Sequence, residues 1–242
     1  MLAQVAQWQQ IWNTNYSQTA SDFDPTFNTI GWRDSYTGQA IPKQEMRQWL
    51  DTTVERILTW KPDRVLDIGC GTGMLLFQIA PKCSYYLGTD FSSQVLSYVE
   101  QQLEKLDGNW SQVSLSQRTA DNFEGIEPAS FDTVIINSVI ELFPSINYLS
   151  DVLKKAIHAV KKEGIIFIGD IRNFSLLEAF YAKLELDKAS DLLSTKELQP
   201  YIFDSMGKAD QLLLSPDFFI ALKQHFPSIS HVQIQLKRDR LP

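Results

Sequence analysis

The sequence predicts an α/β fold, a doubly wound and mostly parallel sheet with helices on both faces and helical lid segments added to it. Three observations carry this. From residue 63 onward, short apolar runs alternate with helical stretches, an order that forms parallel strands joined by right-handed crossovers. The first run, Arg64–Ile68, leads straight into Gly69, Gly71 and Gly73. The run Phe131–Asn137 (FDTVIIN) is nearly continuously apolar, as expected of a central strand buried on both faces.

The elements follow in order. Residues 1–60 are rich in Gln, Trp and Tyr, and Trp8, Trp12 and Tyr16 recur every fourth residue on one helical face. That stripe packs on a core or forms a helical lid over an active site. Gly31 and Gly38 punctuate a loop with Trp32, Arg33, Ser35 and Tyr36, and Pro42 opens a helix through Ile57. Strands are expected at 64–68, 84–89, 113–117, 131–137 and 164–170, the last (GIIFIGD) buried. Helices are expected at 72–80, stopping at Pro81, at 92–106 with Ser92 as N-cap, and at 145–160.

After Asp170 the alternation lapses. Residues 174–212 read as two or three helical pieces broken at Pro200 and Gly207, a second candidate lid. A helix over 216–226 follows. Val232, Ile234 and Leu236 then alternate with Gln233, Gln235 and Lys237, the pattern of a half-buried strand. The expected division is an N-terminal helical lid, 1–60, and a catalytic domain, 61–242, with a lid insertion at 174–212.

Composition excludes several classes. Net charge is −7 with no long basic stripe, whereas phosphate-backbone binding needs clustered Lys and Arg, so nucleic acid is not an expected partner. The Lys154-Lys155 and Lys161-Lys162 pairs read as a solvated helix face. Two cysteines, Cys70 and Cys83, are too few for a disulfide framework and suit a reduced, cytoplasmic setting. No apolar run approaches the roughly 20 residues that span a bilayer, and residues 1–10 lack the features of a signal peptide. No His/Cys/Asp spacing resembles a metal site.

The segment Asp67-Ile68-Gly69-Cys70-Gly71-Thr72-Gly73 ends a strand and opens a helix, a place where a nucleotide-like ligand meets the sheet's carboxyl end. A dinucleotide fingerprint is G-x-G-x-x-G, with pyrophosphate on the helix N-terminus; here the third glycine comes one residue too early. Asp67 is expected to face the ligand, which suits an amino group better than a diphosphate. S-adenosylmethionine (SAM) offers that ammonium and a cationic sulfur. Asp90 ends the second strand, seventeen residues past Gly73, where a carboxylate can take both ribose hydroxyls. Ala120, Asp121 and Asn122 follow the third strand, placed for the adenine amino group. Asn137 and Ser138 end the fourth, beside the expected reactive methyl. Cys70 within the loop and Phe91 beside Asp90 complete the cofactor set.

At this point the chain resembles the class I SAM methyltransferase domains embedded in nonribosomal peptide synthetases and polyketide synthases. The resemblance rests on GWRDSYTGQAIPKQEMRQWLDTTVERIL (31–58), RVLDIGCGTGMLLFQIAP (64–81), YLGTDFS (86–92), SFDTVIINSVIELFPSINYL (130–149), IIFIGDIRN (165–173) and HVQIQLKRDR (231–240). It implies cofactor roles for Asp67, Gly69, Gly71, Asp90, Asp121 and Asn137, S-adenosylhomocysteine as product, and a contribution from Tyr36 in the lid. It also implies a substrate tethered to the phosphopantetheine arm of a carrier protein, with neighbouring synthase domains as partners. Two departures stand out. Many N-methylating members carry Gln-Tyr-Phe-Pro where this chain has Glu141-Leu142-Phe143-Pro144, and the chain stops before the strand that usually closes the sheet.

The residues leave the acceptor open. A hydroxyl needs a base, and Glu141, four residues past Asn137, would gain basicity from desolvation beside Leu142 and Phe143. O-methylation with Glu141 as base or orienter is therefore the first expectation. N-methylation of an aminoacyl thioester is the second, C-methylation of a β-keto thioester the third, and a non-catalytic SAM-binding spacer the alternative of another class. His231, opening the last strand, is a further catalytic candidate. His158 reads as exposed, His225 as a helix-end side chain whose cationic form suits the carbonyl dipole, and Asp170 with Arg172 as an internal ion pair or substrate contacts.

Overall fold

The computed structural model describes residues 2–16, 24–190, 193–209 and 211–237. The Tyr16 side chain, residues 191, 192 and 210 of the second helical stretch, and the 238–240 end of the last quoted segment lie outside them. The chain divides into two compact units, Met1–Asp170 with Leu236–Pro242, and Ile171–Gln235.

In the first unit, β1 (Arg64–Ile68), β2 (Tyr85–Asp90), β3 (Val113–Gln117), β4 (Phe131–Asn137) and β5 (Val160–Gly169) form one five-stranded sheet in the order β3-β2-β1-β4-β5. All its pairings are parallel. The chain runs outward from β1 to β3, then returns to place β4 on the other side of β1. That reversal leaves a crevice at the carboxyl ends of β1 and β4, where ligands of doubly wound sheets bind. Val65, Leu66, Val134, Ile135 and Ile136 are wholly buried, so consecutive residues, which point to opposite faces, are all covered.

α1 (Leu2–Tyr16) and α2 (Lys43–Leu58) precede the sheet; α3 (Met74–Ile79), α4 (Ser93–Lys105) and α5 (Ile146–Ala159) connect its strands. Met46, Leu50 and Ile57 recur on one face of α2 and pack with α3, Val65, Tyr86 and Ile135. Truncating Leu50, 1% exposed, would cost about 2–5 kcal/mol as transfer energy and cavity. Ser92 and Ser145 cap α4 and α5 through Val95 N and Tyr148 N.

β5 departs from its sequence reading. It is half-buried rather than buried, because it lies at the sheet's edge among the described residues. Its pairing with β4 jumps from Phe131↔Val160 to Thr133↔Ile165. Lys161 and Lys162 therefore sit in the irregular start of a strand, not on a helix face.

The second unit holds a 3-10 turn, Phe174–Leu176, and α6 (Leu177–Lys188), α7 (Thr195–Gly207) and α8 (Pro216–His225). Pro200 lies inside α7 instead of breaking it. A proline there removes one hydrogen bond, and the reciprocal Ser194–Glu197 capping box offsets part of that loss. Gly207 does end the helix. Residues 231–237 form no strand, and Ile234 and Leu236 are exposed. Alternation alone fails where no neighbouring strand supplies hydrogen bonds. Among the described residues no helix is long and apolar enough to cross a membrane.

Candidate active site

The glycine loop follows from its backbone. Gly69, Gly71 and Gly73 adopt φ of 77°, 53° and 81°, values costly for any residue with a Cβ. A Cβ on Gly69 would also strike the Val139 side chain. Gly69 N and Cys70 N both donate to Thr89 O, at 2.8 and 2.9 Å, fixing the loop to β2.

Asp90 and Asp67 are buried together beneath this loop. Asp90 Oδ2 accepts from Gly71 N (3.1 Å) and Oδ1 from Ser92 N (2.9 Å). Asp67 differs from expectation: it is 2% exposed, and its Oδ2 accepts the Tyr86 hydroxyl at 2.7 Å. Burial lifts Asp67 to about 7 against the pull of the Tyr86 bond, and Asp90 adds to the rise. Burial likewise lifts Asp90 to about 6. Tyr86 escaped the sequence reading; its period-two spacing from Asp90 on β2 was the signal for a shared face.

The buried carboxylates test the fit of the cofactor. Two desolvated, reluctantly ionised acids would repel a diphosphate, whereas a cation relieves their desolvation. SAM carries an ammonium and a sulfonium, so the loop and its acids fit it. The Cys70 thiol is buried and pushed far up by that burial and by the two aspartates. It is a packing group here, not a nucleophile.

Past β3, Ala120 and Asn122 line a crevice with Arg118, Phe123 and Ile126. Asp121 Oδ1 accepts from the Tyr148 hydroxyl (2.7 Å), and its carbonyl accepts from Lys155 Nζ (2.7 Å). Burial opposes its ionisation, but bonds from Thr119 and Tyr148 hold it below the usual carboxylate range.

Asn137, Ser138 and Asp170 meet at the ends of β4 and β5. Asp170 Oδ2 accepts from Ser138 Oγ (2.6 Å), Trp49 Nε1 (2.7 Å) and Asn137 Nδ2 (3.3 Å). Its Oδ1 forms an ion pair with Lys237. Despite burial, which works the other way, Lys237 and the hydroxyl and indole donors hold Asp170 below the usual range. Asp170 pairs with Lys237, and the Arg172 guanidinium lies over the Phe180 ring. Trp49 was not singled out from sequence, because its value lies in a contact 121 residues away.

Glu141 is half-buried on a 3-10 turn, Ile140–Leu142. Tyr36 is 41% exposed on a turn held by Asp34, which accepts from Tyr36 N and Thr37 N. His231 belongs to the second unit and is exposed, without the expected strand. The N-terminal segment covers the ends of β1 and β2: Gln9 Nε2 donates to Phe91 O, Ser92 Oγ to Asn13 Oδ1, and Thr72 Oγ1 to Asn28 O.

Comparison with known proteins agrees with this geometry. A family described as a methyltransferase domain matches residues 66–166. The chain is 43% identical over 234 residues to chondramide synthase cmdD of Chondromyces crocatus, covering 97% of this chain and 6% of that protein. It is 33% identical over 234 residues to a probable non-canonical nonribosomal peptide synthetase, CymA, of Salinispora arenicola, covering 97% and 3%. The N-methyltransferase NodS from Bradyrhizobium japonicum, solved with S-adenosyl-l-homocysteine, shares the fold with a TM-score of 0.52 at 18% identity, over 69% of this chain and 74% of that one.

The parallel sheet, the cation-seeking loop and the matched family define a class I SAM-dependent methyltransferase domain. More particularly, over 97% of its length it is similar to segments of chondramide synthase and of a nonribosomal peptide synthetase, and it spans only a few per cent of the length of those relatives.

Proposed function

We propose that this domain methylates the amino group of an aminoacyl or peptidyl thioester presented on the phosphopantetheine arm of a carrier protein. The observation that carries this reading is Asp170. It stands at the ends of β4 and β5 with three donors on one oxygen and an ammonium on the other, and is held below the usual carboxylate range. Such a group is a poor base for an alcohol. An amine needs no such base: an α-amino group has an ordinary pKa of about 8, leaving a neutral fraction near pH 7, and orientation suffices. Relatives named as nonribosomal peptide synthetases support a peptide-assembly setting for the substrate.

Asp67, Gly69, Cys70, Gly71, Gly73, Asp90 and Phe91 would hold SAM at the loop, Ala120, Asp121 and Asn122 its adenine, and Asn137 and Ser138 the reacting end. When bound, SAM supplies a methyl already activated on a sulfonium. Helix α1 acts as a lid through Gln9 and Asn13, and Tyr36 serves the acceptor side. Neighbouring synthase domains and a reduced cytoplasmic setting complete the reading, with Cys70 and Cys83 as free thiols.

Glu141 favours a second reading, O-methylation of a carrier-bound hydroxyacyl chain. Its half-buried place four residues after Asn137 supports it as base or orienter. The Glu141→Gln variant separates the two on carrier-bound aminoacyl and hydroxyacyl substrates. N-methylation that survives the change supports the amine; O-methylation that is present in the unaltered enzyme and lost in the variant supports the hydroxyl. Tight SAM binding, measured by calorimetry, without transfer to any carrier-bound substrate would leave a spacer.

A further inference from the structure

Lys237 gives Asp170 a second meaning. Its ammonium pairs with Asp170 Oδ1 and lies 4.7 Å from the centroid of the Trp49 ring. Trp49 in turn donates its indole N–H to Asp170 Oδ2. With Ser138 and Asn137 also on Oδ2, the carboxylate is turned so that Oδ1 is its cation-facing oxygen. A carboxylate oxygen beside an aromatic face is the donor set that recognises a compact ammonium. The site is built: Asp170 is 17% exposed in its side chain, is fixed by groups from α2 and β4, and sits at φ 58°, a strained backbone of the kind found at ligand clamps.

The Lys237 ammonium reaches it from the 231–237 segment, which has no regular secondary structure. Leu236 O accepts from Arg56 Nη2 at 3.1 Å, which brings the residue before Lys237 to α2. A ligand held on such a segment can be exchanged without unfolding a helix or a strand.

We propose that Asp170 Oδ1 and the Trp49 ring form a recognition site that first captures the acceptor's amino group as its ammonium, which gives up a proton to solvent before the neutral amine attacks, and that Lys237 is the internal ammonium occupying the site until substrate arrives. The inference rests on the amine reading above and adds its specificity determinant. Lys237 then competes with substrate, and selects against acyl chains that lack an amine and cannot displace it.

Binding, not turnover, tests this. Trp49 fluorescence and calorimetry on the SAM-free protein would compare an aminoacyl pantetheine thioester with its des-amino counterpart. The amine should bind at least about tenfold tighter, the size of one charge-assisted contact. Asp170→Asn should erase that difference, Trp49→Phe should narrow it, and Lys237→Gln should tighten amine binding severalfold by removing the competitor. Equal binding of the two thioesters overturns the site, as does amine affinity unchanged in Lys237→Gln, a variant that leaves the Asp170 network in place should Asp170→Asn fail to fold. N-methylation accompanied by equal binding keeps the functional reading and overturns the site. Discrimination without transfer to nitrogen keeps the site and overturns that reading.

Discussion

Ser138 Oγ donates to Asp170 Oδ2 at 2.6 Å, and both residues lie at positive φ, 57° and 58°, one residue past the ends of adjacent parallel strands. Neither is glycine, so each costs backbone strain that its surroundings must hold. Ser138 N also donates to Gly169 O at 3.2 Å. Ser138→Ala should remove a bond to a charged group and cost about 1–3 kcal/mol of stability. Urea unfolding near pH 7 checks this. The same change should raise the Asp170 pKa, so its stabilisation, lost as pH falls through the folded value, should fade at a higher pH than in the parent protein.

Asp67 and Asp90 predict the opposite pH response. Their folded values, about 7 and about 6, lie above the ordinary 3.8. The folded protein therefore holds more protons than the unfolded chain across that interval. Stability of the SAM-free protein should fall as pH rises from about 4 to 7, by linkage. Asp67→Asn should flatten the profile. Urea midpoints across this range measure it, and a profile unchanged by Asp67→Asn would contradict the assignment.

Two glycines at similar φ separate strain from collision. Gly69 (77°) has the Val139 side chain where a Cβ would go, while Gly125 (74°) has nothing within 4 Å. Gly125→Ala should cost about 1–2 kcal/mol from strain alone. Gly69→Ala should cost more and weaken SAM binding more than tenfold, on the order of 1.4 kcal/mol or above. Calorimetry of the two variants compares them directly.

Tyr86→Phe keeps the packing of a wholly buried ring but leaves Asp67 Oδ2 without its donor. An unsatisfied buried acceptor costs about 1–3 kcal/mol, and the Asp67 pKa should climb further because the bond that lowered it is gone. SAM affinity should drop most just above pH 7, where the parent Asp67 is ionised and the variant's stays protonated. Affinity equal to the parent at every pH would argue against the pair as part of the cofactor site.

The parallel strands and the helices between them were readable in sequence because local rules govern them: apolar runs between glycines, Ser92 before a helix, and Asp90 at a strand end. What escaped was set by distant partners. The 232–236 alternation found no neighbouring strand, and Pro200 was tolerated inside a well-capped helix. Tyr86 and Trp49 take their roles from β1 and the end of β5, which place Asp67 and Asp170 beside their polar atoms. The orientation of Asp67 was not legible, because it depends on a hydroxyl 19 residues away.

Transfer itself decides the account. A mixture of carrier-bound aminoacyl and hydroxyacyl chains, incubated with isotopically labelled SAM, would be analysed by tandem mass spectrometry to locate the methyl. The label is expected on nitrogen of the aminoacyl chain, with the hydroxyacyl chain unchanged. Label on the hydroxyl oxygen, with the amine untouched, would contradict the amine reading and return the chemistry to Glu141.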